Sequence, residues 1–183
     1  MNKKIAEEPG VSGAILEMLT VANEYCLFFE RTESIAAADI LSYFQKIAPL
    51  LYLKASLIDP VAVNPDSDNE RFVTEEQWEA VFKPLREKFG SNDNYFIHDH
   101  NFDSVEASLA DNMADIYQDM KDFVMLYQKN TFHARQNAVA HLSDLFRWHW
   151  GPVLINALGA VHQILFRDEI DPDLVSEDDD WMP

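Results

Sequence analysis

Apolar residues along this chain recur three and four positions apart, the spacing of one face of an α-helix, in several separate stretches. Ser12 is placed to cap a first helix reaching about Arg31, with Ile15, Leu19, Ala22, Cys26 and Phe29 as its apolar stripe and Glu17, Thr20 and Glu24 opposite. Ser34 is placed to cap a second helix to about Ser56, whose inward face is Ile40, Phe44, Ile47, Leu51 and Ile58. Pro49 falls inside that pattern, removes a backbone hydrogen bond and predicts a kink. The plainest helix start is Thr74: Gln77 completes a capping box, and Val73 and Trp78 are spaced as a hydrophobic staple. That helix ends at Phe89, Gly90 supplies its stop, and Pro84 predicts a bend. Asp103 with Glu106 is placed to open a long helix to about Lys129, striped by Val105, Leu109, Met113, Ile116, Met120, Phe123 and Tyr127. Thr131 caps a last helical stretch through Phe166, which Gly151-Pro152 interrupts by a kink or by a break into two helices.

Residues 59–73 and 91–102 are polar or proline-bearing and predict loops. The alternating acids Asp66, Asp68 and Glu70 resemble the opening of a calcium loop, but Arg71 stands where that loop needs glycine and Gln77 where it needs a bidentate glutamate. No repeat of fixed period is present, which argues against a solenoid. Five or six amphipathic helices with short links must bury their stripes against one another. The expected architecture is therefore an all-α bundle over residues 1–167, followed by a flexible acidic tail over 168–183.

Composition narrows the function classes. In 183 residues there are 32 acidic and 14 basic side chains, a formal net charge of −18. Such a chain repels nucleic acid and anionic lipid, whose binding needs lysine and arginine to neutralise phosphates, so neither is an expected partner. Cys26 is the only cysteine, so no internal disulfide forms, and its place in an apolar stripe marks it as a small core residue. The first ten residues lack the apolar run of a secretory signal, and no stretch reaches the roughly 18 apolar residues of a membrane span. A cytoplasmic protein is expected.

Histidines and carboxylates on helices raise the question of a metal centre. The paired Glu-x-x-His of di-iron bundles is absent. Asp111, Asp115, Asp119 and Asp122 lie on neighbouring turns but, at about 100° per residue, opposite the Val105-to-Tyr127 stripe. They are expected to form a solvated acidic face. His98-Asp99-His100 offers two ligands and one acid without a second pair, so no metal or other cofactor is expected. No nucleophile elbow and no glycine-rich phosphate loop occurs, since only five glycines are present and they are far apart. His149 shares a helical face with Leu142, Leu145 and Phe146, between Trp148 and Trp150, and is expected to be buried in its neutral form with a depressed pKa. The closing run Glu177 to Pro183 places Asp179 and Asp180 before Trp181, a composition suited to docking into a basic, apolar groove on a protein partner.

Several strings taken together resemble a known family. They are Thr20-Val21-Ala22-Asn23-Glu24-Tyr25-Cys26, Leu50-Leu51-Tyr52-Leu53-Lys54-Ala55-Ser56, Phe72-Val73-Thr74-Glu75-Glu76, Leu109-Ala110-Asp111, and Ala114 through Lys121. Trp150-Gly151 follows, with Asn156-Ala157-Leu158 and His162. In order and spacing they resemble an uncharacterised bacterial family of about this length, catalogued as a domain of unknown function, over about Thr20 to His162. The resemblance implies a helical cytoplasmic bacterial protein and implies no activity. Pro152 departs from it, since the family carries a polar residue after Trp-Gly.

Two functions are compatible with these residues. The first, favoured by the lack of catalytic signatures and by the acidic, aromatic tail, is a non-enzymatic protein-interaction or regulatory module. The second is a helical ligand-binding or metal-dependent enzyme bundle with a pocket around Tyr117, Asp119, His149, Trp150 and His162. The balance is against an enzyme. Partner identity and oligomeric state are not encoded legibly.

Overall fold

A computed structural model describes residues 12–63, 71–98, 101–129 and 131–167. Its helices are α1 (Gly13–Phe29), α2 (Ala37–Ser56), α3 (Glu75–Phe89), α4 (Leu109–Gln128), α5 (Phe132–Trp148) and α6 (Trp150–Leu165). Between α3 and α4 lies an antiparallel hairpin of β1 (Asn94–His98) and β2 (Ser104–Ser108), in register from Asn94 opposite Ser108 to His98 opposite Ser104. The chain is thus an all-α bundle carrying one small hairpin. None of the described helices is long and apolar enough to cross a membrane.

The bundle is built around α4, which packs against α1, α3, α5 and α6, while α2 closes the structure against α1 and α6. Twelve of the twenty residues of α4 are buried, and they point in more than one direction. Met113, Ile116 and Met120 are fully buried beside Phe123 and Tyr127, as the apolar stripe predicts, but Ala110, Ala114, Tyr117 and Val124 are buried as well. Cys26 is a core residue of α1, and burial pushes its thiol up to about 12. A thiol so protonated is inert.

Local sequence signals account for most boundaries. The side chain of Ser12 accepts from the Ile15 backbone N–H at 3.3 Å, and that of Thr131 from Ala134 at 3.2 Å. Thr74 and Gln77 form the reciprocal box, with Gln77 N to Thr74 Oγ1 at 3.3 Å and Thr74 N to Gln77 Oε1 at 3.1 Å. Gly90, at φ 51°, ends α3 in a backbone conformation that a Cβ would disfavour. α2 and α3 continue as single helices through Pro49 and Pro84.

Two predicted starts are corrected. α2 begins at Ala37 without a side-chain cap, because Thr32–Ser34 forms a 3₁₀ turn in which the Ser34 hydroxyl donates to the Arg31 carbonyl at 3.0 Å. α4 begins six residues after Asp103, because residues 104–108 pair with β1 instead, leaving Val105 on a strand and exposed. Its cap is Ser108, which accepts from Asp111 N at 3.1 Å. Asp93 fixes this junction. Although fully buried, it accepts from Ala110 N and from the Ser108 hydroxyl, each at 2.7 Å, and Arg86 of α3 stands 3.2 Å away.

The last helical stretch breaks at His149, one residue between α5 and α6 with φ −129° and ψ −91°. Gly151 explains why glycine is needed there: a Cβ would lie 2.1 Å from the Phe146 carbonyl oxygen. Pro152 is the third residue of α6, a position whose N–H has no intrahelical acceptor to lose.

Asp93→Ala is expected to cost about 2–3 kcal/mol, because it strands buried donors at the α4 start, whereas Thr74→Ala at the exposed α3 cap costs about 1 kcal/mol. Urea unfolding of both variants checks the order. A larger loss for Thr74→Ala would show that Asp93 does not hold the junction.

Candidate functional site

The carboxylates of α4 recur at Asp115, Asp119 and Asp122, so their side chains form one strip along the helix. The expectation of a solvated acidic face holds at Asp111, which is exposed, and is overturned at the other three positions. Asp119 is 3% exposed and its two neighbours are half-buried. Each reaches a different element. Asp115 Oδ1 accepts from Trp78 Nε1 of α3 at 3.0 Å. Asp122 Oδ1 accepts from the backbone N–H groups of Phe72 and Val73, at 2.7 and 3.0 Å, just before the α3 cap. Asp119 Oδ2 accepts from His149 Nδ1 at 2.6 Å, at the break between α5 and α6.

Burial raises the pKa of Asp115, and the charge of Asp111 raises it further against the opposing Trp78 hydrogen bond. Burial also raises that of Asp122, outweighing its two backbone donors. His149 is corrected in both respects. Its side chain is 43% exposed, and its pKa is raised because the hydrogen bond to Asp119 outweighs desolvation. Position explains the difference: at a one-residue break the ring leaves the face shared by Leu142 and Leu145 and meets α4.

Of the other residues expected around a pocket, none joins this pair through its side chain. Tyr117 is two positions from Asp119, about 200° around the helix, and its hydroxyl donates to Glu30 Oε1 of α1 at 3.2 Å, beside Lys121. Trp150 is fully buried, donates Nε1 to the Leu142 carbonyl at 3.3 Å and packs on Phe146. His162 is exposed near the far end of α6, its ring 4.7 Å from that of Phe166. Asp99 and His100, and the tail residues Asp179, Asp180 and Trp181, lie outside the described residues. Among the described residues no group of three or more metal-ligating side chains assembles.

Beside Asp119 a cleft of about 310 Å³ opens between α4 and α5. Phe123 and Leu126 of α4 and Leu142 and Leu145 of α5 give it an apolar wall. Asp119, Asp122, Asp144, His141 and Arg71 give it a polar one. The sequence reading reached Asp119 but missed Arg71, Asp122, His141 and Asp144. The four- and three-residue spacing of Asp115, Asp119 and Asp122 was the available signal, since a strip of acids can be a strip of anchors once both sides of a helix are covered.

Removing His149 leaves a buried carboxylate without its donor, so His149→Ala is expected to cost about 1–3 kcal/mol, while Asp119→Asn, which keeps an acceptor oxygen, costs about 1 kcal/mol. The pH dependence has a definite sign. A histidine whose folded pKa is raised contributes stability that is full below its reference of 6.5 and is lost as pH rises through the folded value. The stability gap between wild type and His149→Gln should therefore be wider at pH 6 than at pH 9. Denaturant unfolding at the two pH values measures it, and an equal or inverted gap would contradict the ion pair.

Comparison with known proteins follows the fold. A structural-genomics crystal structure of a Bacteroides fragilis protein superposes with a TM-score of 0.76 at 32% sequence identity, covering 84% of this chain and 92% of that one. No curated protein matches this chain. Residues 10–167 match the family described as a domain of unknown function, DUF5063, and the chain belongs to that family.

Proposed function

We propose that this protein is a non-enzymatic binding module and that it binds in the cleft between α4 and α5. The observation that carries this reading is the pairing of an apolar wall with Asp122 and Asp144, beside an Asp119 that His149 already holds. Apart from Asp119, which His149 engages, two aspartates stand there against one arginine, so the cleft favours a cation. Its volume is at the small end of ligand sites. The occupant it fits is a cationic group on a short apolar stem, the chemistry of an arginine or lysine side chain from a partner protein. The stem would lie on Phe123, Leu126 and Leu142 while the charge faces Asp122 and Asp144.

Titrating the ¹⁵N-labelled protein with N-acetyl-arginine amide is expected to give saturable amide shifts along Phe123 to Leu126 and Leu142 to Leu145. Asp144 is exposed on α5 and can be changed without unpinning α4. Asp144→Asn should weaken the apparent affinity by about 3- to 10-fold, the effect of removing one partly screened charge. Linear, unsaturable shifts, or an unchanged affinity in Asp144→Asn, would overturn the reading.

A further inference from the structure

On the outer side of α6, away from the α4–α5 cleft, two hollows lie end to end and share Ile155 and Asn156. The first, of about 410 Å³, is walled by Tyr52, Phe146 and Pro152 and edged by Arg147. The second, of about 290 Å³, lies between α6 and strand β1, against Phe96 and Gly159. From Pro152 to Gln163 the groove follows α6 for about 16 Å, at 1.5 Å per residue. Its surface is unusual for this chain in two ways. No aspartate or glutamate lines either hollow, although the chain contains 32 of them. Large apolar side chains also stand uncovered along it: Phe96 is 71% exposed, Ile155 47% and Tyr52 39%. Contiguous apolar exposure of this kind marks a contact surface, whereas scattered single residues do not.

The sequence that follows α6 has the complementary character. Residues 168–183 carry eight acids and no lysine or arginine, and they bring Trp181 and Met182 directly after Asp178, Asp179 and Asp180. We propose that the groove on α6 is the docking site of the chain's own segment Glu177 to Pro183, with Trp181 in the hollow between Tyr52, Phe146 and Pro152 and the preceding acids at Arg147.

Reach permits it. From Arg167 back to Gly151 is about 24 Å along the helix, at 1.5 Å per residue. The residues from Asp168 to Trp181 can span up to about 46 Å when extended, at about 3.3 Å per residue. The segment can therefore turn at the end of α6, run back beside it and still have slack. Charge selects it. Of the net charge of −18, the eight acids of residues 168–183 account for −8, so the rest of the chain carries −10 and repels an acidic segment over much of its surface, whereas the groove is a strip without acids that also offers a guanidinium. A cationic partner would be drawn to the acidic surfaces instead. Tethering supplies the remaining advantage, because a linker of this length holds the segment at an effective concentration in the millimolar range, so a single aromatic anchor and one ion pair suffice.

The full chain tests this directly. Ser176→Cys is labelled with a nitroxide, and Cys26, 1% exposed with its thiol pushed up to about 12, is left unmodified. Paramagnetic broadening is expected on the amides of Ile155, Gly159 and strand β1 in dilute solution. Trp181→Ala and, separately, Arg147→Glu should each reduce that broadening at least severalfold while leaving the circular dichroism unchanged. Broadening no stronger at the groove than on the outer faces of α1 and α3 would overturn the proposal, as would broadening that survives Trp181→Ala. A mixture of labelled chains with separate ¹⁵N-labelled chains distinguishes the source: groove broadening seen only between chains would assign the groove to a second copy and overturn docking within one chain. None of these outcomes depends on whether the α4–α5 cleft takes a cation.

Discussion

A helix buried on several sides cannot leave a buried carboxylate unpartnered, and three of the four aspartates of α4 are buried or half-buried on successive turns. Desolvating an ionised group costs several kcal/mol unless donors replace the lost water. Asp115, Asp119 and Asp122 obtain those donors from three places: an indole of α3, the imidazole at the α5–α6 break, and two backbone amides ahead of α3. Each donor must arrive at a fixed height along α4. The requirement therefore sets where the segment at Phe72 and Val73 meets the bundle, how α3 leans, and where the chain turns between α5 and α6. Apolar burial provides the driving force, and close packing of ridges into grooves restricts the register. The acids add directional contacts that fix it further.

The competition between burial and hydrogen bonding resolves differently along this one strip. At Asp122 two amide donors are present and burial still wins, leaving the carboxyl easier to protonate than an exposed one. Asp115 behaves the same way with one indole donor, helped by the charge of Asp111. At His149 the order reverses, because nearly half of the side chain remains in water and the desolvation penalty is small beside a short charge-assisted bond. All three shifts have the same sign for stability, since each raised pKa means that the folded state holds its proton more tightly than the unfolded chain does. The high negative charge acts in the same direction through self-repulsion.

The legible parts of the fold were those written within a few residues. Ser12, Thr131 and the Thr74–Gln77 box cap helices where their spacing says they should, because a cap needs only its own next three residues. The apolar stripes of α1 and α4 also appear in the core. The misplaced features depend on distant partners. Asp103 and Glu106 have the spacing of a cap, yet the strand register with Asn94 to His98 claims that backbone first. The acids of α4 look solvated when a single stripe is taken as the whole buried face, and only the packing of α3 and of the α5–α6 junction covers the other side. His149 looks buried on a straight helix, but Gly151 lets the backbone approach Phe146 closely and the helix breaks. Asp93 and Arg71 carried no local signal, since their roles arise from contacts across the chain. Of the five residues expected around a pocket, Asp119 and His149 share a direct contact, while Tyr117 faces α1 and His162 stands on the outer part of α6.

Asp119 belongs both to the clamp and to the cleft, so the proposed cation site shares a residue with the architecture. One oxygen holds His149 at the helix break, and the same side chain forms part of the negative wall between α4 and α5. With His149 protonated, the pair is neutral as a whole and the wall owes its charge to Asp122 and Asp144. With His149 neutral, the Asp119 carboxylate is no longer offset, and the cleft gains a full negative charge in a poorly hydrated position. A cation entering the cleft therefore competes with the imidazolium proton for the same carboxylate. Filling the cleft and protonating the clamp are opposed by electrostatics alone, without movement of any helix. Asp119 and Asp122 line the cleft and are also required by the fold, which confines freely adjustable charge to exposed positions such as Asp144 on the facing helix.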